Sequence, residues 1–76
     1  MITVTIHYFA MLREEARRDS EIRTTSATTP RELYAELGFS VPVTTLRAAV
    51  NEALVAMDTA LKNGDEVTYI PPVAGG

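Results

Sequence analysis

The chain has 76 residues, no cysteine, one histidine, and seven Lys and Arg against ten Asp and Glu, for a net charge of −3. That excludes disulfide staples, thiolate metal sites and cysteine nucleophiles, leaves no self-contained histidine metal site, and speaks against nucleic acid as a partner, which calls for a basic surface. With 46% hydrophobic and 22% charged residues, the chain is expected to be one globular domain, too small to pair a catalytic domain with a cofactor domain. No apolar run nears the about 18 residues a membrane span needs. The first eight residues lack the basic and apolar regions of a signal peptide. A small fold without disulfides points to an intracellular, cytoplasmic location.

Ile2, Val4, Ile6 and Tyr8 alternate with Thr3, Thr5 and His7, which predicts a half-buried strand. From Ala10 the period changes. Phe9, Leu12 and Ala16 recur at +3 and +4, predicting an amphipathic helix with those three on its core face. The helix is expected to run to Arg18, with Arg17 and Arg18 in its last turn and Glu14 paired to Arg18. Residues 20–24 predict a short strand, poor in apolar residues and therefore at a sheet edge. Thr29-Pro30-Arg31-Glu32 is a capping box with proline at N1. It opens a helix carrying Leu33, Tyr34 and Leu37 and stopped by Gly38.

Residues 38–45 read as a loop, 46–50 as a strand, and 53–57 as a very short strand. The Asn63-Gly64 pair, between Lys62 and Asp65, predicts a tight turn, and 66–70 the last strand, with Val67 and Tyr69 on one face and Thr68 and Ile70 on the other. Asp65 and Glu66 are assigned to the turn, Met11 and Met57 to the core. Helices cannot cover both faces of so small a sheet. The fold class is therefore α+β: one mixed sheet with helices on one side. The expected division is a domain over residues 1–70 and a flexible tail over 71–76.

That tail is Pro71-Pro72-Val73-Ala74-Gly75-Gly76. The prolines end the sheet ladder and favour extended chain, and six residues reach at most roughly 20 Å. The tail's reactive group is the α-carboxylate of Gly76, ionised at neutral pH. A carboxylate can attack an activated phosphate to give an acyl-adenylate, and a sulfur donor can displace the adenylate to leave a thiocarboxylate. Glycine lets an enzyme approach closely. On the diglycine alone, a frayed terminus is the simpler alternative.

Phe9-Ala10-Met11-Leu12-Arg13-Glu14, Val50-Asn51, Leu54-Val55, Asp58, Leu61, Gly64-Asp65-Glu66-Val67 and the whole tail resemble the small subunit of molybdopterin synthase. The resemblance covers residues 2–17 and 46–76. It implies a ubiquitin-like β-grasp fold and a sulfur carrier of molybdenum cofactor biosynthesis. An ATP-dependent activating enzyme would adenylate Gly76, and a persulfide-bearing system would convert it to a thiocarboxylate. The sulfur would pass to cyclic pyranopterin monophosphate in the large synthase subunit, within a heterotetramer whose catalytic residues belong to that subunit. The chain would not be an enzyme alone and would bind no cofactor itself.

The resemblance also places Leu54 near the tail and Arg13 at a position that could meet a partner. Leu54 and Ile70 are candidates for an apolar docking patch shared by the activating enzyme and the large subunit, or else for core. Arg13 is a candidate partner contact or a solvated helix residue. Pro71 and Pro72 would hold the tip off the body, and Gly75 would give it clearance. The sequence departs from the family in its short second helix. Alternatives left open are a ubiquitin-like protein modifier, a sulfur carrier for another product such as thiamine or cysteine, and a binding domain with an inert tail.

Overall fold

The computed structural model describes residues 1–72. Its elements are β1 (Ile2–Tyr8), α1 (Ala10–Ala16), β2 (Ser20–Thr25), α2 (Pro30–Leu37), a 3-10 turn (Val43–Thr45), β3 (Arg47–Val50), β4 (Ala53–Val55) and β5 (Glu66–Ile70). The strands form one sheet in the order β2-β1-β5-β3-β4. β1 runs parallel to β5, in register from Thr5 with Glu66 to Tyr8 with Tyr69. Every other pair is antiparallel. The sheet is mixed, as the sequence predicts.

Alternation decides the core. Val4, Ile6 and Tyr8 of β1, Val67 and Tyr69 of β5, and Ala48 of β3 are buried on one face. Leu12 of α1 and Leu33 and Tyr34 of α2 close over them. Tyr34, Tyr69, Tyr8 and Phe39 stack within the layer, with centroids 5.1 to 5.8 Å apart. The buried Tyr69 hydroxyl donates to the Pro30 carbonyl at 2.6 Å, tying the central β5 to the start of α2. Tyr34 donates to the Val41 carbonyl at 2.6 Å and fixes the loop after α2.

The start of α2 is as expected: the Thr29 hydroxyl accepts the Glu32 N–H at 3.1 Å. The returning half of the capping box reaches one residue further. Glu32 takes the Thr28 N–H and hydroxyl, at 2.9 and 3.0 Å, in place of the Thr29 N–H. Gly38 ends the helix at φ 73, a conformation that costs glycine nothing.

α1 differs from expectation at both ends. It stops at Ala16, because Arg17 turns left-handed at φ 61. Arg17 and Arg18 therefore lie outside its last turn, and no helix supports a Glu14–Arg18 pair. Phe9 is the N-cap residue and is 55% exposed, so it does not belong to the core face. The period-2 pattern of β1 extends one residue further than the helical reading allows. Its odd positions face away from the helices, and Phe9 is the next odd position. The predicted 46–50 strand begins at Arg47, because Leu46 caps the 3-10 turn just before it, and the predicted 53–57 strand ends at Val55.

Candidate functional site

Two features converge at the C-terminal end of β5. The first is an apolar groove of about 550 Å³ lined by Phe9, Ala10, Met11, Glu14, Ile70, Pro71 and Pro72. β5 delivers Ile70 as its last ladder residue, and the chain continues through Pro71 and Pro72, which have no N–H to extend the ladder. The opposite wall is the step from β1 into α1. Ala10 sits at φ 49, a left-handed conformation that costs a non-glycine residue about 1–2 kcal/mol. This sharp step leaves Phe9 exposed at the groove. Met11 lines the groove as well, instead of filling the core as its sequence suggests; Met57 does pack against the core.

The second feature is the sheet face turned away from the helices. Ile70 pairs across to Arg47, Thr68 to Ala49, and Ala49 to Leu54, so all five share that face. Leu54, on the edge strand β4, is 65% exposed. Ile70 and Leu54 thus lie on one open face, with Ala49 and Thr68 between them, and Ile70 also belongs to the groove. Arg13 is apart from both: it points from α1 with its Nε 3.7 Å from Asp19 Oδ1. Val73, Ala74, Gly75 and Gly76 lie outside the described residues.

Polar contacts hold this face in shape. His7 Nε2 lies 2.8 Å from Glu66 Oε1, across the parallel β1–β5 pair. Asn51 and Glu52 form a two-residue hairpin with φ 51 and 71, the left-handed pair that a type I′ turn needs. The Asn51 amide donates to Asp65 Oδ1 at 3.0 Å, and its Oδ1 accepts the Glu66 N–H at 3.0 Å. Asp65 Oδ2 accepts the Lys62 N–H at 2.8 Å. Asp65 therefore serves the turn, as its sequence suggests, and joins it to the β3–β4 hairpin as well. Gly64, at φ 89, gives its N–H to Thr3 at 2.8 Å, closing the turn onto β1.

On the helix side, Tyr8 donates to Glu21 at 2.6 Å. Burial, then that hydrogen bond, push its hydroxyl well above the ordinary tyrosine range. Arg23 bridges Glu21 and Glu36.

Sequence reasoning missed Phe9 and Met11 as surface residues of the site. The signal for Phe9 was the β1 alternation, overridden by a helical period that fits Phe9, Leu12 and Ala16 equally well. For Met11 no sequence signal distinguished core from groove.

Comparison with known proteins gives these features a family. The "Molybdopterin synthase sulfur carrier subunit" of Mycobacterium tuberculosis is 34% identical over 84 residues, covering 100% of both chains. That of Escherichia coli K12 is 58% identical over 31 residues, 41% of this chain and only 38% of that protein's length. The fold is the ubiquitin-like β-grasp. It matches the solved protein–protein complex of subunits 1 and 2 of the molybdopterin-converting factor from Helicobacter pylori 26695, with TM-score 0.67 and 26% identity, covering 99% of this chain and 100% of that one. The model of the ThiS family matches residues 6–76, through the diglycine, and the chain belongs to the ThiS family.

Proposed function

We propose that this protein is the sulfur carrier subunit of a cytoplasmic molybdopterin synthase and that its working group is the α-carboxylate of Gly76. In the activating enzyme a carboxylate oxygen attacks the α-phosphorus of ATP and pyrophosphate leaves. A persulfide sulfur then attacks the acyl carbon of the mixed anhydride and AMP leaves. Reductive cleavage of the S–S bond by a thiol frees the thiocarboxylate. The loaded tail enters the large subunit and gives its sulfur to cyclic pyranopterin monophosphate. This chain holds no cofactor and supplies no acid or base; both belong to its partners.

The observation that carries this reading is the exit of the chain at Ile70, where a central strand ends beside the Phe9–Met11 groove and passes to Pro71 and Pro72. A stiff proline step lowers the entropy lost when a tail is held in a partner's tunnel. The groove and the open face with Leu54 form the docking surface around that tunnel, used in turn by the activating enzyme and the large subunit, with Arg13 as a separate partner contact. The family match through Gly76 and the names of the M. tuberculosis and E. coli relatives support the same reading.

The test is incubation with ATP, a sulfur donor and the activating enzyme, followed by mass spectrometry of the C-terminal peptide and assay with the large subunit. Exchange of one oxygen for sulfur at Gly76, and loss of molybdopterin formation when Gly76 is deleted, are expected. Gly76 in isopeptide linkage to lysines, with no thiocarboxylate, would make the protein a modifier instead. Unchanged molybdopterin formation without Gly76 would overturn the proposal.

A further inference from the structure

Among the described residues, no backbone pairs with the edge of the sheet farthest from β4. β2 is the outer strand at that end, and its hydrogen bonding can be divided residue by residue. Tyr8 donates its N–H to the Asp19 carbonyl at 2.8 Å. With the register Ile6–Glu21, Val4–Arg23 and Ile2–Thr25, the even positions of β1 therefore bond to Asp19, Glu21, Arg23 and Thr25. The odd positions of β1 face the other way, as the Thr5 N–H to Asp65 and the Thr3 carbonyl to Gly64 show. Ser20, Ile22 and Thr24 are left with backbone N–H and C=O groups directed out of the sheet. None of these three residues has a backbone bond to a loop among the described residues. At their centre Ile22 is 75% exposed.

Such an edge is a template for another strand unless it is blocked by proline, lysine or a bulge. Ser20-Glu21-Ile22-Arg23-Thr24-Thr25 has no proline, lysine or bulge, and its two charges, Glu21 and Arg23, are opposite in sign and lie on the helix side. We propose that the β2 edge is a self-association surface: a second copy of this chain pairs with it antiparallel, centred on Ile22. In that register Ile22 faces its own copy, Ser20 faces Thr24 and Thr24 faces Ser20. All three pairs are of the hydrogen-bonded kind, so every outward backbone group is used.

Charge selects this register over its neighbours. Glu21 lies opposite the Arg23 of the second copy, and Arg23 opposite its Glu21, on the helix side of the sheet. Sliding one way places Glu21 opposite Glu21. Sliding the other way places Arg23 opposite Arg23. An in-register parallel pair sets each charge against its like. Like charges directly opposite are destabilising. Both side chains are already held in place, Glu21 by Tyr8 and Arg23 by Glu36.

The product is a twofold dimer with a continuous ten-stranded sheet. A single strand pair buries less than the about 1,200 Å² of a standard interface, so the dimer is weak and concentration-dependent. β5 of each copy stands two strands in from the joint, so the groove and Leu54 remain free in both. The inference does not depend on the sulfur chemistry.

The experiment is a dilution series of the full chain by sedimentation equilibrium and ¹⁵N relaxation, from about 10 μM to about 1 mM. Dimer is expected to accumulate at the upper end. In a mixed-label sample an intermolecular NOE between the Hα protons of Glu21 and Arg23 would report the register. Ile22→Pro removes an N–H that β1 does not use, and weakens association by about tenfold or more. Ile22→Lys does the same without touching the backbone, should the proline variant fail to fold. Glu21→Lys and Arg23→Glu are each expected to be monomeric alone and to pair when mixed. A wild-type chain that stays monomeric throughout overturns the inference. So does a dimer indifferent to Ile22→Lys, or a dimer in which mixing the charge variants restores nothing.

Discussion

The two faces of the sheet are made from the same strands and do opposite work. On the covered face, β1, β3 and β5 contribute Val4, Ile6, Tyr8, Ala48, Val67 and Tyr69, all nearly inaccessible to water. On the open face the same strands contribute Thr3, Thr5, His7, Ala49, Thr68 and Ile70, joined at the edge by Leu54. The covered face holds the fold together. The open face leaves apolar groups in water at Leu54 and Phe9, where a stability argument finds no use for them. A domain this small buries only about 60% of its unfolded surface, so it can spare one face for partners only if the other is packed without voids or unpaired polar groups. Its buried hydroxyls are all partnered among the described residues.

The comparison breaks most visibly through Leu33→Ala. Leu33 is fully buried in α2, and its truncation is expected to cost about 2–5 kcal/mol. Each kcal/mol lowers Tm by about 4–8 °C in a domain of this size, which thermal denaturation followed by circular dichroism would read. Leu54→Asp should do the reverse. Stability changes by no more than about 0.5 kcal/mol, while affinity for the activating enzyme and the large subunit falls tenfold or more, about 1.4 kcal/mol, by titration calorimetry. Ile70→Asp should weaken the same complexes with a larger stability cost, since Ile70 is half-buried. A Leu54→Asp protein that unfolds, or one that binds normally, would erase the distinction between the faces.

Tyr69→Phe sharpens it on the covered side. Removing the hydroxyl strands the Pro30 carbonyl and is expected to cost about 1–3 kcal/mol. Burial raises the Tyr69 hydroxyl pKa above its ordinary value of 10.0. The unfolded chain therefore releases this proton at a lower pH than the folded one. Its contribution is whole below pH 10 and is lost as pH rises beyond it, so the variant's stability should fall less steeply on the alkaline limb.

The smallest effect belongs to Glu36. The Thr25 hydroxyl at 2.6 Å and Arg23 at 3.0 Å hold its carboxyl below the ordinary 4.5. The stability it lends is present above that value and lost as pH falls through the lowered one. Glu36→Gln should therefore cost less than about 1 kcal/mol at neutral pH and flatten the acid limb of an unfolding titration.

The amino-acid sequence by itself determined the elements whose local signals do not compete. The β1 alternation, the Thr29-Pro30 start and Gly38 stop of α2, the Asn63-Gly64 turn and the β5 span of Glu66–Ile70 all follow from steric and hydrogen-bonding preferences within a few residues. Tertiary structure alone decided what depends on residues distant along the chain. Phe9 satisfies a strand period and a helix period at once, and only the packing of α1 onto β1 settles that it faces solvent beside Ile70. Met11 is apolar in either place. Asp65 reads as a turn residue until the β3–β4 hairpin brings Asn51 against it. The outward row of Ser20, Ile22 and Thr24 is invisible without the register, because hydrogen-bond parity is a property of two strands and not of one.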